Sequence, residues 1–91
     1  MVLILSLASI SAMKLSDLPR YASGTVSAVE AISVGDPIAR RLAELGFVPG
    51  ETVRLVALGP MGGDPILVLV GFTRFALRRS EADRVKLEVE G

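Results

Sequence analysis

Hydrophobic and polar residues alternate with two different periods along the chain, and each period predicts a different kind of element. Ile38, Leu42 and Leu45 are spaced as on one face of a helix. Strand-like patterns, either alternating or rich in β-branched residues, occupy 25–32, 52–58, 66–70, 72–78 and 85–89. The short connections between the later strands favour antiparallel neighbours. The pattern predicts a mainly β domain of about five antiparallel strands, with one short α-helix after the first strand.

The sequence marks both ends of this helix. Asp36 suits the N-cap position, and a proline follows it at the first helical position. At the other end Gly46 can adopt the left-handed conformation, so that Phe47 packs back on Leu42 as in a Schellman motif. The helix is therefore predicted over 37–45.

Glycine and proline mark the connections between the predicted strands. The run 48–51, VPGE, suits a type II turn, and 59–65, GPMGGDP, is typical of a loop. The first strand is predicted to contain a bulge, because its aliphatic residues do not share one period. Strands 66–70 and 72–78, the second with two phenylalanines, are predicted to form the centre of the domain. So many short strands bury most apolar surface as a small barrel.

The first twelve residues, MVLILSLASISA, form an apolar segment. It is shorter than the roughly 20 residues that span a bilayer, and no lysine or arginine precedes it as in a secretory signal. The polar pattern begins at Met13, which suits an initiator. We expect 1–12 to be an extension and 13–91 to be the folded domain. The extension is expected to add a strand to an exposed sheet edge, which provides a route to homo-oligomers.

Composition narrows the chemistry available to the protein. Ten lysines and arginines balance ten aspartates and glutamates, so no chain-wide positive field exists to hold nucleic acid. The absence of histidine and cysteine removes imidazole bases, thiolates and the usual ligands of borderline metals. We therefore expect neither an enzyme nor a bound cofactor.

Carboxylates are the remaining candidates for metal ligands, at Asp36, Asp64, Glu81 and Asp83. Sites built only from oxygen ligands suit Mg²⁺, Ca²⁺ or Mn²⁺ better than Fe²⁺. Asp36 is more simply explained as an N-cap, and Asp64 as a turn residue. The sequence assigns no metal ligands, and divalent-metal binding stays an open alternative.

Three longer segments resemble the signature of the FeoA family. The helix, turn and strand of 42–53, LAELGFVPGETV, match its pattern, as do the glycine-rich loop 59–65 and the closing segment 71–82, GFTRFALRRSEA. Together with LSDLP at 15–19, they cover nearly everything from Met13 onward in the expected order. The resemblance implies an SH3-like barrel, a cytoplasmic location and a supporting role for the membrane transporter FeoB, whose cytosolic part contains a GTPase domain.

The expected function is therefore that of an accessory protein of ferrous-iron uptake, which reaches the membrane only through the transporter it binds. The resemblance also implies kinship with the C-terminal SH3-like domain of metal-dependent repressors. A metalloregulatory or peptide-binding module consequently remains the alternative.

Six residues are expected to contact the partner: Leu45, Phe47 and Pro49 at the helix end, Met61 at the tip of the glycine-rich loop, and Arg40 and Arg41 on the outer face of the helix. The helix end and the loop tip are expected to frame one groove. Core packing is the simpler explanation for Phe47, and solvated surface the simpler explanation for both arginines. A second basic group comprises Arg74, Arg78 and Arg79, for which solvated surface and an acidic partner both remain open.

Overall fold

A computed structural model describes residues 10–90 of the chain. Six strands, one α-helix and two short helical turns follow one another along it. In chain order they are strand β1 (Ile10–Lys14), a 3₁₀ turn (Leu15–Asp17), β2 (Ser23–Val29), helix α1 (Pro37–Leu45), β3 (Thr52–Leu58), β4 (Ile66–Val70), β5 (Thr73–Leu77), the one-turn helix α2 (Arg79–Ala82) and β6 (Val85–Glu90).

The six strands form one antiparallel sheet in the order β1-β6-β2-β3-β4-β5. Strand β2 pairs with β3 over residues 23–25 and with β6 over residues 25–29. The register shifts between Val26 and Ala28, and again in β3 between Leu55 and Ala57. Such bulges increase the local twist of a sheet, which lets this one curve around its own core.

One apolar cluster fills the interior of the curved sheet. The ring of Phe47 belongs to this cluster and packs against the ring of Phe75, with centroids 5.8 Å apart. The largest fully buried side chains are Phe47, Leu15, Leu55, Ile66, Leu87, Val26, Val53, Val68 and Val85. Strands β2, β3, β4 and β6 each supply at least one of them, so the core depends on segments that are distant in sequence.

The local predictions are confirmed in detail. Helix α1 spans the predicted residues, and the bulge lies in β2 as expected. The N–H of Glu51 donates to the carbonyl of Val48 at 3.0 Å, and Gly50 has a φ of 95°, as a type II turn requires. Each of these features is specified by residues that are close in sequence.

The prediction of about five strands is one strand too few. Strand β1 pairs with β6 from Ile10 opposite Glu90 to Lys14 opposite Lys86. Strand β1 is held by its pairing with β6, and Met13 is its residue that packs against the core. The segment ISAMK therefore has no need of an alternating apolar pattern, and the sequence does not mark it as a strand. Strand β1 begins three residues before the domain boundary expected at Met13, and residues 1–9 of the extension lie outside the described residues.

The prediction that 66–70 and 72–78 form the centre of the domain holds only for the first segment. Strand β4 buries alternate residues in the core, whereas β5 is the last strand of the sheet. Phe75 packs against the core, but Phe72 lies in the connecting turn and is fully exposed. Strand β2 also ends at Val29 and does not reach Ile32, which is exposed.

Candidate functional site

Asp36 determines where α1 begins. Its Oδ1 accepts hydrogen bonds from the backbone N–H groups of Ile38 at 3.0 Å and Ala39 at 3.4 Å, which confirms the predicted N-cap. Its Oδ2 accepts the N–H of Ile32 at 3.1 Å and the Nε–H of Arg84 at 2.7 Å. The aspartate therefore joins the helix, the loop before it and the start of β6.

The Asp36–Arg84 ion pair is buried, with only 3% of the aspartate side chain and 7% of the arginine side chain exposed. The pKa of Asp36 is lowered from 3.8 to about 2, chiefly by the hydrogen bond from Arg84 and also by those from three backbone N–H groups, against the opposing effect of burial. Arg84 also donates from Nη1 to the carbonyl of Ser80 at 2.7 Å. This ion pair fixes α1 and α2 to each other through one guanidinium.

The C-terminal end of α1 is fixed as firmly as its start. Gly46 adopts the left-handed conformation with a φ of 118°, and the N–H of Phe47 donates to the carbonyl of Leu42 at 3.1 Å. The N–H of Gly50 then donates to the carbonyl of Val26 at 2.9 Å. The turn after the helix is therefore attached to the helix at its start and to β2 at its end.

A shallow cleft of about 340 Å³ lies beside this turn. We call it the turn cleft; its lining residues are Ser23, Gly50, Glu51, Thr52, Arg54, Leu69 and Gly71. Gly50 belongs to the turn after α1, and Gly71 to the turn between β4 and β5. The exposed residues Pro49 and Phe72 are their immediate neighbours in sequence. The turn cleft is thus lined by both polar and apolar groups, and an exposed apolar residue stands next to it in each of two turns.

The six residues that the sequence predicted as partner contacts are distributed over several places. Pro49 is exposed beside the turn cleft, and Arg40 and Arg41 are exposed on α1. Phe47 is buried in the core. Leu45 is half-buried and shares a narrow groove with Arg41, between α1 and the segment that ends β5 and forms α2; its other walls are Ile38, Leu42, Leu77 and Glu81.

Met61, the sixth of these residues, is exposed in the glycine-rich loop. The loop is held against α2 and the 3₁₀ turn by Arg79, whose N–H donates to Oδ1 of Asp64 at 3.1 Å and whose guanidinium donates to the carbonyls of Gly63 and Ser16. The end of α1 precedes β3, and the glycine-rich loop follows β3. The helix end and the loop tip are therefore separated by the length of this strand, about 20 Å. The helix end and the loop tip therefore do not frame one groove.

The carboxylates considered as metal ligands all accept hydrogen bonds from the protein. Glu81 accepts the N–H of Arg78 at 2.9 Å, and Asp64 accepts that of Arg79. Asp83 accepts the hydroxyl of Ser16, which lowers its pKa. Within residues 10–90, no three side chains of the metal-ligating kinds come together, and no helix has the length and apolar content to cross a membrane.

Sequence reasoning missed Arg84 and Phe72, and it named Arg79 only as part of a basic group on the surface. Arg84 and Arg79 act through contacts with distant parts of the chain, which no local pattern marks. Phe72 did carry a signal, because Gly71 with a φ of 61° is the first of two residues joining paired strands, as in a type II′ hairpin turn. A glycine followed by one residue between two apolar runs indicates an exposed turn at that residue.

Comparisons with known proteins relate the chain to one family. The FeoA domain family matches residues 13–89. The FeoA of Stenotrophomonas maltophilia, an SH3 domain protein solved in complex with zinc, is 61% identical, with a TM-score of 0.78 over 82% of this chain and 88% of that one. Iron(II) transport protein A from Clostridium thermocellum is 35% identical, with a TM-score of 0.74 over 85% of this chain and 45% of that one.

The predicted SH3-like fold is confirmed by these structures. The T. acidophilum IdeR structure is 19% identical, with a TM-score of 0.71 over 88% of this chain and 35% of that one, and so shares the fold alone. No curated protein matches the chain.

Proposed function

Because the chain belongs to the FeoA family of ferrous-iron transport accessory proteins, we propose that it works in the cytoplasm by docking on the GTPase-containing cytosolic part of a FeoB-type transporter and thereby modulates iron uptake. The contribution of the protein is a binding surface rather than a catalysed reaction.

One observation carries this proposal: the exposed side chain of Phe72 beside the turn cleft. Aromatic residues are enriched among the residues that contribute most to protein interfaces. Exposing a phenylalanine costs hydrophobic free energy that a partner recovers by covering it. The two-residue turn between Val70 and Thr73 holds Phe72 in a defined place on the sheet.

The turn after α1, on the other side of the turn cleft, also presents an ordered surface. Pro49 precedes Gly50, whose N–H is bound to Val26, so the turn that carries the proline is held against β2. A surface that is already ordered loses less conformational entropy on binding than a flexible one. Among the partner contacts expected from the sequence, Pro49 is the one that directly precedes a lining residue of the turn cleft.

The test is a titration of the purified cytosolic part of the transporter with this protein, followed by calorimetry. Replacing an interface anchor of this kind costs about 2 kcal/mol or more, so we expect Phe72→Ala to weaken binding at least about twentyfold. The matched control is Val34→Ala, because Val34 is equally exposed in a loop outside the turn cleft. Equal affinities for wild type and Phe72→Ala would contradict the turn cleft as the docking surface.

A wild-type protein that fails to bind the transporter would contradict the proposed partner itself. In that case binding to a metal-dependent repressor or to a peptide would favour the alternative role as a regulatory module.

A further inference from the structure

We propose that β5 is a docking strand, to which an acidic extended segment of the partner adds as a seventh strand of the sheet. This inference deepens the proposed function and rests on it for the identity of the partner. It concerns residues 72–78, which follow the turn cleft along the same edge of the sheet.

The register of β5 shows which of its backbone groups are free. Because a two-residue turn joins Val70 to Thr73, these two residues form the first hydrogen-bonded pair of the hairpin. Bonded and non-bonded pairs alternate, so Phe75 is bonded to β4 whereas Arg74 and Ala76 are not. The N–H and C=O groups of Arg74 and Ala76 therefore point away from β4, and among residues 10–90 no strand pairs with that side.

The charged side chains along this edge are positive and favour an added segment that is negatively charged. Arg74 and Arg78 are exposed, and the sequence TRFAL of β5 contains no acidic residue. Arg54 lies in the same row of the outer face, since it and Arg74 both pair with Leu69. Within the described range the ion pairs are formed by other cations, namely Lys14, Arg84 and Lys86. A carboxylate opposite Arg74 would gain a favourable cross-strand pair.

Positive charge on an edge strand usually prevents aggregation, because it repels similar edges. The same charge makes the edge selective, since it favours an acidic segment over a neutral or basic one. Ala76 leaves room for a neighbouring backbone, and Phe72 lies exposed at the beginning of the strand. The edge thus combines free backbone groups, a charge preference and an apolar anchor.

Within residues 10–90, a second copy of this chain offers no unpaired acidic strand. The other edge of the sheet is β1, whose sequence ISAMK contains a lysine and no carboxylate. The acidic residues Glu88 and Glu90 lie on β6, which is already paired on both sides, with β1 and β2. The charges therefore favour a different protein as the source of the added strand.

The test combines two variants with the cytosolic part of the transporter. Ala76→Pro removes the outward N–H at a site where an edge strand tolerates proline, and the loss of that hydrogen bond should weaken binding about tenfold. Arg74→Glu should weaken binding about fivefold and reduce its salt dependence. Ala76→Ser changes the side chain but keeps the amide hydrogen, so it is the control for Ala76→Pro. Arg20→Glu makes the same change of net charge outside β5, so it is the control for Arg74→Glu.

Amide hydrogen exchange measures the added strand directly. In the free protein the amides of Arg74 and Ala76 should exchange faster than that of Phe75, which is bonded to β4. Addition of the transporter fragment should slow the exchange at Arg74 and Ala76. Binding without that protection, or with equal affinity for Ala76→Pro and wild type, would overturn the docking strand and leave the proposed function standing. A dimer of this chain that dissociates in Ala76→Pro would overturn it as well, whereas absence of any binding to the transporter would reject the proposed function.

Discussion

Asp36 and Arg84 lie 48 residues apart in the sequence and form a buried ion pair of 2.7 Å, which joins the start of α1 to the start of β6. Removing one partner from such a pair leaves the other charge buried without compensation. The orientation of α1 therefore depends on a contact at its N-terminal end, whereas the turn cleft lies beside the turn at its other end.

The first prediction concerns the arginine of this pair. Arg84→Met should lower the melting temperature, because Asp36 then keeps its charge without the guanidinium that balances it. Arg40→Met is the matched control, since Arg40 is exposed on α1, and it should leave the melting temperature nearly unchanged. Thermal unfolding followed by circular dichroism measures both, and equal melting temperatures would contradict a stabilising role for the pair.

The second prediction is a pH dependence of stability. The pKa of Asp36 is lowered to about 2 in the folded protein from 3.8. A lowered carboxyl pKa stabilises the folded state above the unfolded pKa, and this contribution disappears as the pH falls from about 4 to about 2. Asp36→Asn can still cap the helix but does not titrate. Free energies of unfolding between pH 2 and 7 should therefore fall more steeply for wild type than for Asp36→Asn in acid, and parallel curves would refute the assignment.

The third prediction concerns a close backbone approach at Gly59. A Cβ atom at this position would lie 2.5 Å from the carbonyl oxygen of Pro65, which no flexible side chain can relieve. Gly59→Ala should lower the free energy of unfolding by about 1–3 kcal/mol, the usual cost of overpacking. Gly62 in the same loop has open space around it and a φ of 71°, which asparagine tolerates. Denaturant titration should show a much smaller loss for Gly62→Asn.

The fourth prediction separates a core residue from a surface residue among the predicted partner contacts. Phe47→Ala should lower the free energy of unfolding by about 3–5 kcal/mol, because the ring is fully buried. Met61→Asp should change it by less than about 0.5 kcal/mol, as is usual on the surface. The proposal that Met61 contacts the partner requires weaker binding of Met61→Asp to the transporter fragment. Wild-type affinity for this folded variant would remove Met61 from the interface.

The fifth prediction concerns homo-oligomers formed through residues 1–12. If these residues mediate association, a chain that starts at Met13 should sediment as a monomer where the full chain does not. Because β1 begins at Ile10, that chain also loses part of the pairing with β6. A chain that starts at Ile10 keeps β1, and analytical ultracentrifugation of both shortened forms separates the two effects. Oligomers that persist in both would refute the role of the extension.

Features specified by neighbouring residues could be predicted from the sequence, and features specified by distant contacts could not. Asp36 and Gly46 mark the ends of α1 because capping depends on residues within one turn. Strand β1 depends on β6, more than seventy residues away, and its own pattern gives no sign of it. Phe72 is exposed because Gly71 and Phe72 form the turn between β4 and β5. The sequence pattern instead made Phe72 the first residue of a strand.

The candidate site follows the same division. Pro49 could be proposed because the VPGE turn is local, and the glycine before Phe72 is a local sign of a turn, whereas the free groups of Arg74 and Ala76 emerge only from the strand order and register. The groove expected between the helix end and the loop tip failed because sequence alone does not place two loops at the same end of a strand. The family signature supplied the fold and the biological setting, which no single pattern provides.

Strand β2 joins the part of the sheet formed by β1 and β6 to the part formed by β3, β4 and β5. Its residue Thr25 pairs with Thr52 on one side and with Glu88 on the other. Neither part can separate from the other without breaking β2, so the domain should melt in a single cooperative transition. Any protein that binds only the native form would therefore stabilise every part of it at once, which makes the melting temperature a simple reporter of occupancy wherever on the surface that protein binds.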